Sequence, residues 1–219
     1  MKAGFRRFFV APKRVFDLRQ ETFIHELGGL MDALELLTAD HNRVRGLFTR
    51  FKAAEGENDA QAARLAATII EELEIHTKIE EEVFYPTITT LNDEIHELVT
   101  EGIEEHHVVD ALIAEIKVLG PSEEEWAAKM KVLIENVEHH AEEEEQEMFP
   151  KIRKAMGNDN RAELGQRLEA KKAELGAPTA ADKAHFSTEE LNRLAREQEI
   201  PGRSDMKREE LLATVAPES

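Results

Sequence analysis

An all-α fold is what this sequence predicts: an up-down-up-down four-helix bundle followed by a small helix–loop–helix unit. Three observations carry that expectation. Charged residues make up 34% of the chain and aromatics only 5%, so the composition is weighted toward good helix formers. Four long segments repeat apolar residues at steps of three and four, the period of a helix with one buried face. Short linkers separate them, which sets neighbouring helices antiparallel.

The elements follow in order. Residues 1–29 read as a basic arm, in which Lys2, Arg6, Arg7, Lys13, Arg14 and Arg19 face only Asp17 over the first twenty positions. Its apolar stretch Phe8-Phe9-Val10-Ala11 is too short for a secretory signal, and Pro12 and Lys13 follow at once. The segment lacks the serines of an organellar transit peptide, so a plain arm or an over-early start fits it better. The bundle is expected over 30–156. Its first helix runs from about Leu30 to Ala54 and ends at Glu55-Gly56-Glu57-Asn58-Asp59. The second runs from about Ala60 to Pro86 and the third from about Asp93 to Val118. The fourth starts after Gly120-Pro121-Ser122, with Ser122 and Glu125 as a capping box, and stops near Met156 at Gly157-Asn158. Residues 157–183 hold a charged helix, Arg161 to Leu175, expected on the surface, and the linker Gly176-Ala177-Pro178-Thr179. Residues 184–219 hold the last unit. Ser187 and Glu190 cap a helix to about Glu199, Ile200 to Ser204 turn, and a second helix runs from about Asp205 to Val215.

Composition removes several function classes. The chain has no cysteine, which excludes disulfides, thiolate metal sites and cysteine nucleophiles and suits a reducing, cytoplasmic setting. No apolar run approaches the roughly 20 residues that span a bilayer. A net charge of -18 disfavours general binding to nucleic acid or anionic membranes.

An internal repeat supports the bundle. Asp40-His41 precedes a helix bearing His76, Glu80 and Pro86, and Glu105-His106 precedes one bearing His140, Glu144 and Pro150. In each second helix Glu follows His by four residues, and Pro follows Glu by six. The six histidines and glutamates interrupt apolar seams. The first seam is Leu34, Leu37, His41, Val44, Phe48 and Phe51; the second Ile69, Leu73, His76, Glu80 and Val83. The third is Val99, Gly102, His106, Val109 and Ile113; the fourth Leu133, Val137, His140, Glu144 and Met148. Seam phase selects His106 over His107, and alignment to Pro150 selects His140 over His139. His107 and His139 then flank the seams, and His25, His96 and His185 belong to no constellation. Pro86 and Pro150 read as helix stops or kinks that shape the end of the pocket.

Four imidazoles and two carboxylates facing a core form a ligand set, because a buried ionised carboxylate is costly unless it is paired or bound to a metal. His and Glu at i and i+4 share one helix face and can converge on one ion. Should both glutamates bridge, two ions would sit roughly 3.5–4 Å apart. Imidazole and carboxylate suit iron, zinc or manganese.

These motifs, Thr38-Ala39-Asp40-His41, Glu74-Ile75-His76 through Tyr85-Pro86, Glu104-Glu105-His106-His107 and Glu138-His139-His140 through Phe149-Pro150, resemble the hemerythrin-like HHE family. The resemblance covers about residues 30–156. It implies two oxo- or hydroxo-bridged non-haem irons held by His41, His76, Glu80, His106, His140 and Glu144. It also implies that the irons bind or turn over oxygen, hydrogen peroxide or nitric oxide, with catalase-like peroxide decomposition as the enzymatic form. Oxygen-carrying hemerythrins have a fifth histidine one turn from another on the third helix. Here Asp110 lies a turn after His106 and Gly102 a turn before, which speaks against a dedicated carrier.

The C-terminal pattern Leu191, Leu194, Ala195, Ile200, Met206, Leu211 and Leu212 loosely resembles the N-terminal module of transcription terminator Rho and the SAP motif. That resemblance implies nucleic-acid binding, for which Arg193, Arg196, Arg203, Lys207 and Arg208 would supply a patch. Two other readings stand beside a small-ligand diiron protein: a sensor signalling through this unit to DNA or a protein, and an interaction protein stapled by its metal.

Overall fold

The computed structural model describes residues 31–177, 188–197, 200–204, 206–208, 211, 214 and 215. The basic arm, the linker beyond Ala177, Ser187 of the last capping motif and Asp205 lie outside the described residues.

Helix α1 spans Ala33–Ala54 and opens later than its periodicity suggests. Asp32 takes the cap: its Oδ1 accepts from the Leu34 and Glu35 N–H groups, while Glu35 accepts from the Asp32 N–H. Asn58 caps α2 (Asp59–Ile79). That helix passes through a π-helical turn (Glu80–Phe84) into α3 (Tyr85–Ile88). Asn92 caps α4 (Asp93–Ile116). Helix α5 (Glu124–Glu143) passes through a second π-helical turn (Glu144–Met148) into α6 (Phe149–Ala155).

The Ser122 capping box does not form. The N-cap residue is Glu123, so Ser122 stands one position too early, and the Glu123 carboxylate accepts from the Gly120 N–H instead. Pro86 and Pro150 do not stop their helices. Each follows a wide turn in which Tyr85 N–H donates to Glu80 O, or Phe149 N–H to Glu144 O. The wider turn separates the proline ring from the carbonyl it would strike in a regular α-helix, and the helix resumes.

Helices α1 and α2 pack together, as do α4 and α5, with α1 also touching α5 and α2 touching α4. Two apolar clusters result. One gathers Phe48, Phe51, Ile69, Leu73, Ile113 and Leu133; the other Leu34, Leu37, Phe84, Ile95, Phe149 and Ile152. Helix α7 (Asn158–Glu174) corrects the expectation of a surface helix. Leu164 and Leu168 join the second cluster, and α7 lies against α1 and the first π-helical turn. A Cβ at Gly165 would come within 2.3 Å of Met31 O, so only glycine permits this approach. Its high charge hid the docking because the charges do the anchoring: Arg161 Nε donates to Asp32 Oδ2 at 2.9 Å and its Nη1 to Met156 O at 2.7 Å.

Helix α8 spans Thr188–Glu197. Leu191, Leu194, Ala195, Ile200, Leu211 and Val215 form a third, small cluster with Met206 packed against it. Among the described residues no helix is long and apolar enough to cross a membrane.

Candidate metal centre

The six expected residues form one buried layer between the two bundle clusters. His41, His76, Glu80, His106, His140 and Glu144 are all buried, and Glu80 has no exposed surface. The two π-helical turns begin at Glu80 and Glu144, the two carboxylates of the layer. Such turns recur at functional sites because they re-aim a side chain without ending the helix.

The donor atoms fall into two groups. In the first, His41 Nε2 lies 3.1 Å from His76 Nε2 and 3.4 Å from Glu144 Oε2, and His76 Nε2 lies 3.2 Å from Glu80 Oε1. In the second, His106 Nε2 lies 3.1 Å from His140 Nε2 and 3.3 Å from Glu80 Oε2. Glu80 thus turns one oxygen to each group. Each set offers ligand atoms close enough to surround one ion: His41, His76, Glu80 and Glu144, then Glu80, His106 and His140.

Behind each imidazole stands a carboxylate. His41 Nδ1 meets Glu145 Oε1 at 2.7 Å, His106 Nδ1 meets Glu81 Oε1 at 2.9 Å, and His140 Nδ1 meets Glu105 Oε2 at 2.7 Å. His76 Nδ1 faces Asp40 Oδ2 at 3.7 Å, an ion-pair separation too long for a hydrogen bond. Such partners fix the ring orientation and tautomer of a metal-ligating histidine and raise its basicity. In sequence Glu81 and Glu145 read as solvated faces of acidic runs, and Asp40 and Glu105 stood out only as the residues preceding His41 and His106.

The layer demands positive charge. Burial would raise the Glu80 pKa, yet His76 and His106 hold it well below the usual carboxylate range. Burial would lower the His76 pKa, but Glu80 and Asp40 outweigh it and raise it to about 10. His41 and His106 shift upward too, where Glu144 and Glu80 overcome burial. Even so, neither Glu80 oxygen nor Glu144 Oε2 has a hydrogen-bond donor among the described residues. Buried carboxylate oxygens without donors, facing paired imidazole nitrogens, suit a cation that accepts nitrogen and oxygen ligands.

Tyr85 stood in the sequence only as the end of a motif, with no role assigned to it. Its hydroxyl donates to Glu144 Oε1 at 3.0 Å, and its ring stacks on His106 with centroids 5.5 Å apart. A Cβ at Gly102 would meet that hydroxyl at 2.9 Å. The position a turn before His106 is therefore bare because a phenol reaches past it. The signal was present in Gly102 as a seam gap and in Tyr85 as the chain's single tyrosine, on different helices. Asp110 is exposed and has no place in the layer. His107 is exposed beside Glu104, and His139 is exposed beside Glu105 and Glu143. His96 accompanies Thr89 at 2.8 Å, away from the layer, while His25 and His185 lie outside the described residues.

A cavity of about 20 Å³ adjoins the layer. All four imidazoles line it, with Val44, Phe48, Leu73, Val109 and Val137 as apolar wall. A water needs roughly 10–15 Å³ by the same measure, so the space is larger than one water requires.

The family described as the hemerythrin HHE cation binding domain matches residues 32–152. A DNA nickase of Nostoc sp. (strain PCC 7120 / SAG 25.82 / UTEX 2576) is 27% identical over 146 residues, covering 66% of this chain and 40% of that protein. The chain therefore spans well under half the length of that relative. No solved structure matches.

Proposed function

The chain belongs to the hemerythrin HHE cation-binding family, and from that membership we propose that it holds two non-haem irons and binds or turns over a small ligand, namely oxygen, hydrogen peroxide or nitric oxide. His41, His76, Glu80 and Glu144 would hold one iron, and His106, His140 and Glu80 the other. The observation that carries this reading is Glu80, wholly buried, with one oxygen turned to each histidine pair. Iron, when bound, supplies Lewis acidity and redox chemistry.

The chain's own residues do the rest. Glu145, Glu81 and Glu105 orient the imidazoles of His41, His106 and His140 from behind. Val44, Phe48, Leu73, Val109 and Val137 would give the ligand an apolar wall beside the imidazoles. The Tyr85 hydroxyl, 3.0 Å from Glu144 Oε1, holds that carboxylate and puts one proton donor at the layer. Burial and the nearby Glu144 and Glu80 carboxylates raise its pKa well above the ordinary tyrosine value, so the proton stays in place at neutral pH. With no fifth imidazole in the layer among the described residues, turnover of peroxide is the favoured form of the chemistry, in a cytoplasmic setting.

Iron content and peroxide loss test this reading. About two irons per chain and measurable peroxide consumption by the aerobically purified protein are expected. Stoichiometric zinc with no iron, after expression in iron-replete medium, would overturn the redox reading. Reversible oxygen cycling with untouched peroxide would make it a carrier.

The similarity to the Nostoc DNA nickase favours a second reading, in which the chain acts on DNA. Incubating supercoiled plasmid with the iron-loaded chain decides it. Nicking would support it, and intact plasmid with no mobility shift would dismiss it.

A further inference from the structure

The internal repeat makes Asp40 the counterpart of Glu105, and His76 the counterpart of His140. The two halves should therefore present equal carboxylates to equal imidazoles, and they do not. Glu105 Oε2 reaches His140 Nδ1 at 2.7 Å, but Asp40, one methylene shorter, leaves Oδ2 at 3.7 Å from His76 Nδ1. His76 Nδ1 has no hydrogen-bond partner among the described residues. The other Asp40 oxygen is held by Lys172 Nζ of α7 at 2.5 Å, and both side chains are buried. The neighbouring Lys171 Nζ reaches Glu82 Oε2 at 2.8 Å, on the π-helical turn that begins at Glu80. Among the described residues nothing on the Glu105 side matches this: its second oxygen faces exposed His139 at 3.9 Å.

A buried ion pair seldom adds net stability, since desolvating both charges offsets their attraction, whereas it does fix geometry. Helix α7 also lies outside the residues that match the family. We propose that Lys172 is a positioning residue for His76: it fixes the Asp40 carboxylate so that Oδ2 stays aimed at His76 Nδ1. Helix α7 thereby becomes a fifth structural part of one half of the metal layer, the half formed by His41 and His76. The other half carries no such device among the described residues, so the two metal positions are inequivalent. The inference rests on the two-metal reading given above.

The test measures anaerobic iron(II) binding to the full chain by competition with a chromophoric chelator, resolving two constants. Wild type, Lys172→Met, Lys172→Arg and Leu168→Ala are compared. Leu168 is buried in the same helix and carries no charge, so Leu168→Ala loosens the docking while both charges of the pair remain. Lys172→Met should weaken one constant by about 10–100-fold, the usual range for losing a partner behind a ligand, and leave the other unchanged. Lys172→Arg should recover most of the loss. Leu168→Ala should lower the melting temperature with both constants kept. Should Lys172→Met fold poorly, Asp40→Asn/Lys172→Met removes both charges together and should still weaken one constant. Two unchanged constants in the Lys172 variants, or equal weakening of both constants in Lys172→Met and Leu168→Ala, would overturn the inference while leaving the metal reading intact. A wild-type chain that binds no iron(II) would overturn both.

Discussion

Replacing Tyr85 with phenylalanine isolates one hydrogen bond at the centre of the layer. The ring is buried, and phenylalanine keeps its shape, so no cavity opens and the stacking on His106 survives. What disappears is the O–H donated to Glu144 Oε1 at 3.0 Å, in a setting where Glu144 Oε2 already lacks a donor. A hydrogen bond to a charged group contributes about 1.5–3 kcal/mol, and its loss here leaves a buried carboxylate with neither oxygen donated to. At roughly 2–4 °C per kcal/mol for a domain of this size, the metal-free protein should melt about 3–12 °C lower. The iron-loaded protein should lose less, because the freed Glu144 oxygen can turn to the metal. Differential scanning calorimetry of both forms reads the effect, and peroxide consumption by the loaded form should fall in parallel. Equal melting temperatures for the metal-free wild type and Tyr85→Phe would refute the placement of this bond. An equal fall in both forms would refute its tie to the metal layer.

Three further outcomes follow from the same geometry. Glu80→Ala or Glu144→Ala should abolish stoichiometric iron and erase the rise in melting temperature that iron confers on wild type, since buried ligands couple binding to folding; wild-type iron content in either variant would contradict this. Asp110→His should alter neither iron content nor the rate of autoxidation, because Asp110 is exposed; a slower autoxidation would place that position at the metal after all. In the metal-free chain the His76 pKa lies near 10, above the ordinary 6.5, so its contribution to stability is complete below pH 6.5 and is lost as pH rises through 10. Glu80 lies well below the ordinary 4.5, so its contribution is complete above pH 4.5 and is lost on acidification. Metal-free stability should therefore peak between these ordinary values and fall on both sides, and iron, taking the place of the protons, should remove the alkaline fall; a flat profile of the metal-free chain from pH 6.5 to 10 would rule this out.

The bundle was legible because its cause is local. A period of three and four places Leu34, Leu37, Val44 and Phe48 on one face whatever packs against it, and a polar residue in that phase must point inward too. The same logic picked out His41, His76, Glu80, His106, His140 and Glu144 from runs in which neighbouring histidines and glutamates are chemically identical. Phase failed where the relevant partner sits on another helix or off the seam. Glu81 and Glu145 were indistinguishable from solvated glutamates, and Glu105 was marked only by its place before His106, until the bundle brought each behind an imidazole of a different helix. The Ser122 cap failed for a smaller reason: the turn at Gly120 and Pro121 starts the helix one residue late, and a capping box tolerates no such slip.

The sequence by itself therefore determined the helical class, the two-fold repeat and the six inward-facing ligand candidates, because periodicity and residue chemistry act within one helix. Only the tertiary structure decided which atoms converge, and it did so through contacts between residues far apart in the chain. Tyr85 reaches Glu144 over the bare position at Gly102. Helix α7, too charged to look buried, sends Lys172 across to Asp40, where a lysine can sit inside the protein because an aspartate 132 residues away balances its charge.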